Sequence, residues 1–366
     1  MALTQVSPAL LNDEAQAQGF RNRIINGDMR IAQRGTSFTG LTNGSSSYTL
    51  DQWSFSEIGV LSGVCTITQE TNAPNGFVSS LKFETTTAAN NPLDAGEGVR
   101  VEHRIEGTNC ADLGFGTANA KTVTVSFWVR SSLTGTFGGA LQNTGSQRSY
   151  PFTYAISAAD TWEYKTITIP GDTTGTWATD TSIGIRLRFS LGAGSTYSGT
   201  AGEWAGSNYQ SATGAVSVIN TLNATWYITG VQLEVGSVAT AFERRPYGTE
   251  LALCQRYYYK IQAPAADCYF QPGFNNSTTV HRGLSTFPVT MRVPPTSMEN
   301  SGDAGDYSVH QPGSVYVTLN VVPSSFTPTT TNARVAVSVA SGLTSGDPSM
   351  IAANNADAFL AWSAEL

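Results

Sequence analysis

Apolar and polar residues alternate with a period of two along much of the chain. In TVTVSFWVR, Val123, Val125, Phe127 and Val129 fall on one face, and Thr124, Ser126, Trp128 and Arg130 on the other. SIGIRLRFS sets Ile183, Ile185, Leu187 and Phe189 against Arg186 and Arg188. WYITGVQLEV sets Tyr227, Val231, Leu233 and Val235 against Gln232 and Glu234, and CTITQE, SSLKFET and YKTITIP are shorter runs of the same kind. A strand with one apolar and one polar face belongs to an antiparallel sheet packed on one side. Separated by Gly-, Ser- and Asn-rich turns, these runs predict a β-sandwich of jelly-roll type.

The pattern breaks in VQLEVGSVATAFERRPYGTE, residues 231 to 250, where a strand runs out through Arg244, Arg245 and Pro246. Proline disfavours helical geometry in the residue before it and cannot continue a ladder, so a boundary is expected there. Next, GTELALCQRYYYK reads as a short helix running into a Tyr-rich strand. Thr249 is its N-cap, Glu250 lies in its first turn, and Leu251, Cys254 and Tyr258 are its apolar positions. Alternation resumes at Val315, Val317, Leu319 and Val321, again at Val335, Val337 and Val339, and in the closing DAFLAWSAEL. The expected fold class is all-β: an antiparallel jelly-roll β-sandwich, one short junction helix, and a smaller β-rich domain. The expected organisation is an N-terminal segment 1–19, a sandwich 20–247 and a C-terminal β-domain 248–366, and 366 residues suit two domains.

Composition narrows the function classes. Charged residues make up 13% of the chain, about half the ~25% of ordinary soluble domains. A net charge of −7 argues against a nucleic-acid surface, which needs clustered cations, and against an anionic membrane. No apolar run approaches the ~20 residues of a membrane span. The start MALTQVSPALLNDEAQAQGF lacks the basic and apolar regions of a secretory signal. A soluble protein made in a cytoplasm is expected. Cys65, Cys110, Cys254 and Cys268 form no CxxC pair, and His103, His281 and His310 are far apart. Neither a metal site nor a cofactor is expected.

No G-x-S-x-G elbow, phosphate-binding loop or HExxH motif occurs, so no enzyme is expected. In VRVEHRIEGTNC, Glu102 and Glu106 flank His103. Glu102 shares a strand face with Arg104, which predicts a salt-bridged, solvated face. Asp303 and Asp306 in SGDAGDYS read as turn residues. The aromatics say more. Trp177 lies in GDTTGTWATDTS, and Tyr197, Trp204 and Tyr209 lie in LGAGSTYSGTAGEWAGSNYQSATGA, a long loop for a compact domain. Aromatic faces can stack on sugar rings, which makes these four candidate glycan contacts. The other reading is that the rings peg the loop to the sandwich. Arg244 and Arg245 stand near Glu243 and Glu250, and the four read as a clamp between domains or subunits, because guanidinium groups bridge carboxylates in fixed geometry.

The segments FRNRIINGDMRIAQRGTSF and YTLDQWSF resemble the opening of a family of bacteriophage tail-fibre and appendage proteins, including marine and cyanobacterial phage members. WYITGVQLEVGSVATAFERRPYGTELALCQRYYYK is similar to that family's most recognisable stretch, and FPVTMRVPPT and ANNADAFLAWSAEL resemble its C-terminal portion. MALTQVSPALL resembles the short anchoring starts of phage fibres. The resemblance implies a virion structural protein assembled in the bacterial host cytoplasm and held to other virion proteins by its N-terminal segment. Its jelly roll would resemble a carbohydrate-binding module that contacts host cell-surface polysaccharide, and the chain would form a homotrimer. Two rival roles remain open: a capsid decoration or tail-adaptor protein, and a depolymerase, which would need a cleft with paired acids.

Overall fold

A computed structural model of the protein describes residues 20–42, 46–145 and 147–366, so the expected anchor segment 1–19 lies outside the described residues. The chain forms two compact units, the first ending at Pro246 and the second running from Tyr247 to Glu365.

In chain order the first unit contains β1 (Ser37–Leu41), β2 (Ser46–Tyr48), β3 (Trp53–Ile58), β4 (Val64–Glu70), β5 (Ser80–Thr87), β6 (Gly98–Glu106) and β7 (Val123–Ser131). It continues with β8 (Gly135–Asn143), β9 (Ser149–Ile156), β10 (Glu163–Ile169), β11 (Ile183–Ala193), β12 (Ser198–Gly199), β13 (Ser211–Ala212) and β14 (Thr225–Val235). Two six-stranded antiparallel sheets result, ordered β1-β4-β5-β14-β7-β10 and β2-β3-β6-β11-β8-β9. Their inner faces meet through rings. Phe127 of the first sheet lies 5.0 Å from Phe189 and 5.1 Å from Tyr154 of the second. Trp226 is fully buried, and its indole N–H donates to Tyr154 Oη at 3.1 Å. Such buried aromatics dominate a sandwich core, and the N–H needs a partner once water is excluded.

Two details depart from simple alternation. On β14, Trp226 and Ile228 point inward, yet so do Val231 and Leu233. The register slips between Thr229 and Gln232, where Gly230 adopts φ +62. This bulge switches the inward face from even to odd positions, so Tyr227 does not share a face with Val231 as the sequence suggested. Instead Tyr227 lies beside the guanidinium of Arg130, 5.1 Å from its ring centroid. On β6 and β11 the polar face is present but not solvated: Glu102 is fully buried and Arg188 is 3% exposed.

The second unit opens with α1 (Tyr247–Gln255), the one α-helix among the described residues. Proline is suited to a helix start because its missing N–H has no intrahelical partner there. The helix therefore begins directly after Pro246, and Thr249 lies inside it rather than capping it. Then follow β15 (Tyr258–Gln262), β16 (Tyr269–Asn275), β17 (Val280–Thr286), β18 (Ser297–Asn300) and β19 (Tyr307–Gln311). The last strands are β20 (Val315–Thr318), β21 (Ser325–Pro328), β22 (Asn332–Ser338), β23 (Pro348–Ala353) and β24 (Phe359–Ser363). A three-stranded sheet β15-β24-β18 packs with a seven-stranded sheet β20-β19-β23-β16-β17-β22-β21 around Trp362, Tyr307, Ile351, Val335 and Leu360. β20 stops at Thr318, and Val315 and Val321 are exposed while Leu319 is buried.

Candidate functional site

The long Gly/Ser/Thr loop between β11 and β14 does not hang free. It pairs first with the outer edge of β9: Ala205 and Ser149 exchange backbone hydrogen bonds, and Gly202 N donates to Pro151 O at 2.9 Å. Covering an edge strand in this way blocks pairing with other chains. The loop then crosses the outer face of the second sheet. Ser211, Ala212 and Ala215 lie where a Cβ on Gly138 would stand, so β8 needs glycine at that position.

Beneath the loop lies a buried polar layer carried by β6, β11 and β8. Glu102 pairs with Arg188 at 2.6 Å, Arg104 at 2.6 Å and Arg100 at 3.3 Å. Burial alone would push the Glu102 carboxyl up, but Arg188, Arg100 and Arg104 outweigh it and hold the group ionised, far below the usual carboxylate range. Burial draws the guanidinium of Arg188 down to about 10, which leaves it charged at neutral pH. The loop completes this layer. Arg100 donates to Gln210 Oε1 at 2.7 Å, and Gln142 donates to Asn208 Oδ1 at 3.1 Å and to the carbonyl of Tyr209. Ser149 Oγ donates to Ser207 O at 2.7 Å. Glu102 has no proton to give at neutral pH, and its lone pairs face guanidinium groups.

The four candidate aromatics separate into two groups. Trp177 and Trp204 come together, ring centroids 5.6 Å apart at 87°. Phe115 joins them at 4.8 Å and 5.9 Å, and Tyr150 of β9 meets Trp204 at 5.3 Å. Both indole N–H groups are engaged by backbone, Trp177 with Thr174 O at 3.1 Å and Trp204 with Pro170 O at 2.7 Å. Both rings are half-buried. The turn beneath Trp177 is held by Asp172, which accepts from Thr174 and forms a bidentate pair with Arg148 at 2.7 and 2.9 Å. Tyr197 and Tyr209 stand elsewhere on the loop. Tyr209 covers Gly199, whose lack of a side chain makes room for the ring, and Tyr197 packs near Gly98 of β6. Phe115 and Tyr150 carried no signal in the sequence: one sits in a turn after Gly114, the other in an ordinary strand.

No family model matches the chain, and no curated protein does. Among solved structures, the chain is similar to the enzymatically active domain of tailspike protein 4 from bacteriophage CBA120, with 12% identity and a TM-score of 0.32. That match covers 59% of this chain and only 22% of the tailspike domain's length. A CBM4 carbohydrate-binding module matches with 11% identity and a TM-score of 0.29, over 58% of this chain and 99% of its own. The CBM22-1 xylan-binding domain from Paenibacillus barcinonensis matches with 11% identity and a TM-score of 0.27, over 54% of this chain and 99% of its own. All are distant likenesses.

Three of the four junction residues bind the first unit, Glu243 and Arg245 to residues 20–24 and Arg244 to the turn at Gly76. Glu243 accepts from the backbone N–H groups of Arg21 at 3.1 Å and Asn22 at 3.0 Å, and pairs with Arg245 at 3.3 Å. Arg245 donates to Ile24 O at 3.2 Å and to Asn22 O, and its guanidinium lies 4.7 Å from the Phe20 ring centroid. Arg244 donates to Gly76 O at 2.5 Å and lies over Phe77 at 4.7 Å. The β14 bulge serves the same segment, since Val231 N donates to Gly27 O at 2.9 Å and Asn22 Nδ2 donates to Val231 O at 3.1 Å. Glu250 is buried on α1 of the second unit. Asp303 accepts from Gly305 N and Asp306 from Asn355, the roles of turn residues. Among the described residues, no three His, Cys, Asp or Glu side chains gather as a metal site.

Proposed function

We propose that the protein is a phage virion appendage protein whose first unit binds a host surface glycan, with Trp177 and Trp204 as the stacking platform. The observation that carries this is the pair of half-buried indoles whose N–H groups are already engaged by backbone carbonyls. The rings are thereby fixed, and only their apolar surfaces remain for a ligand. Stacking on a sugar asks for just that: a preorganised π surface with nearby polar groups. The Arg148–Asp172 pair adds rigidity and flanking hydrogen-bonding capacity. The virion assignment rests on the resemblance of the opening and junction segments to phage appendage proteins. Reversible binding multiplied across an oligomer would give firm attachment from weak single sites.

The protein acts here by binding and not by catalysis. Glu102, next to His103 in sequence, is held ionised among arginines, and His103 points into the core on the opposite face of β6. A purely structural role in the virion draws support from Tyr197 and Tyr209, which pack on their own chain. The deciding experiment is a glycan microarray of bacterial surface polysaccharides, probed with wild type and with Trp177→Ala/Trp204→Ala. Aromatic stacking contacts are worth about 0.5–1.5 kcal/mol each, so a roughly tenfold loss of binding is expected at a temperature where circular dichroism shows the variant still folded, its melting temperature falling because the rings also pack on Phe115 and Tyr150. Wild-type protein that binds no glycan on the array moves the assignment to the structural role.

A further inference from the structure

The second unit presents a surface of different character. Across its seven-stranded sheet, outward positions line up in register: Tyr316 opposite His310, His310 opposite Met350, and Met350 opposite Pro272. Farther along, Leu284 stands opposite Arg334. At that end Pro272, Phe274 and Leu284, with Arg282 and Arg334, line a shallow cavity of about 310 Å³. Phe274 and Leu284 are 49% and 50% exposed, large values for apolar side chains at the centre of a sheet. Neither guanidinium meets a carboxylate among the described residues. Arg334 donates to Thr327 Oγ1 at 2.8 Å, and Arg282 has no hydrogen bond or ion pair there. None of the sheet's seven strands contains an Asp or Glu, in a chain that holds 27 acids against 20 Lys and Arg. Asp267 acts on His310, at the opposite end of the row.

We propose that this face is a second binding site, for an anionic polysaccharide. An apolar floor with a half-exposed ring suits the flat face of a pyranose, and two uncompensated guanidinium groups beside it suit a carboxylate or sulfate on that ring. The geometry disfavours a peptide. Extended peptides add to a sheet edge through main-chain hydrogen bonds, whereas β16 and β17 are paired on both sides and have none to offer. The charge argument is local: the two arginines meet no carboxylate among the described residues, and the seven strands carry no acid, Asp306 and Asp347 standing just before β19 and β23. The site is independent of the Trp177–Trp204 platform, so either assignment can fail alone.

The test is affinity electrophoresis of the full chain through gels containing polygalacturonate, dextran sulfate, neutral dextran or poly-glutamate. Retardation is expected with polygalacturonate or dextran sulfate, and which of the two identifies the anionic group. Arg282→Gln/Arg334→Gln should weaken it about tenfold or more, since it removes the charge-assisted hydrogen bonds to the anion. Phe274→Ala should weaken it severalfold, while Lys121→Gln leaves it unchanged. Equal retardation of the arginine variant, or of wild type by poly-glutamate, overturns the proposal. So does a fall in light-scattering mass in Phe274→Ala, which would mean that a second copy of the chain covers this face.

Discussion

Glu57 is a residue whose chemistry only burial reveals. It lies next to the end of β3 on the inward side, 5% exposed, and neither carboxylate oxygen has a hydrogen-bond partner among the described residues. Burial pushes its pKa from 4.5 up to about 7. Because the folded state holds this proton more tightly than the unfolded chain does, stability from this group is fully present below pH ~4.5. It falls as pH rises towards 7 and stays low above that. Glu57→Gln should therefore be more stable than wild type at pH 8, by roughly 1–3 kcal/mol. It should also lose the downward slope between pH 5 and 7 in urea titrations. A wild-type stability that stays flat or rises through that window would contradict this reading. In sequence Glu57 is one more acid in an alternating strand, and nothing local marks it. Trp177 and Trp204 were legible as aromatics in loops. Their meeting was not, because two segments far apart in sequence bring them together with Phe115 and Tyr150.

At the scale of elements, β6 and β11 show how a polar face can be read correctly and still be misplaced. The register sets Arg188 opposite Glu102 and Arg186 opposite Arg104, as alternation demands. Alternation cannot say that the loop after β11 will close over part of this face and exclude water from it. The consequence is energetic. An ion pair on a solvated face contributes little, whereas removing one partner of a buried pair strands the other charges and costs about 3–5 kcal/mol. Glu102→Gln should therefore lower the unfolding free energy by that order in urea denaturation, and a loss below 1 kcal/mol would mean that the layer is wet. β14 supplies the opposite lesson. Its bulge at Gly230 breaks the alternation, and Val231 thereby gains backbone hydrogen bonds to the N-terminal segment. The two segments that most resemble phage appendage proteins are thus bound to each other through Asn22, Glu243 and Arg245. In the first unit these residues hold structure.

At the scale of the whole molecule, the homotrimer remains a proposal from family resemblance, with a direct test. Light scattering of the full chain should return three times the 38.8 kDa chain mass, and a single-chain mass in dilute solution would remove avidity from the proposed function. Sequence alone determined that the protein is all-β, that the strands of its large sheets pair antiparallel with alternating apolar and polar faces, and where a helix interrupts them. These follow from local periodicity, turn residues and proline, all encoded within a few neighbouring positions. Tertiary structure alone decided which polar faces are dry, which aromatics meet, and which arginines lack acids. Those properties depend on residues distant in sequence arriving at the same place and displacing water, and no local pattern carries that information.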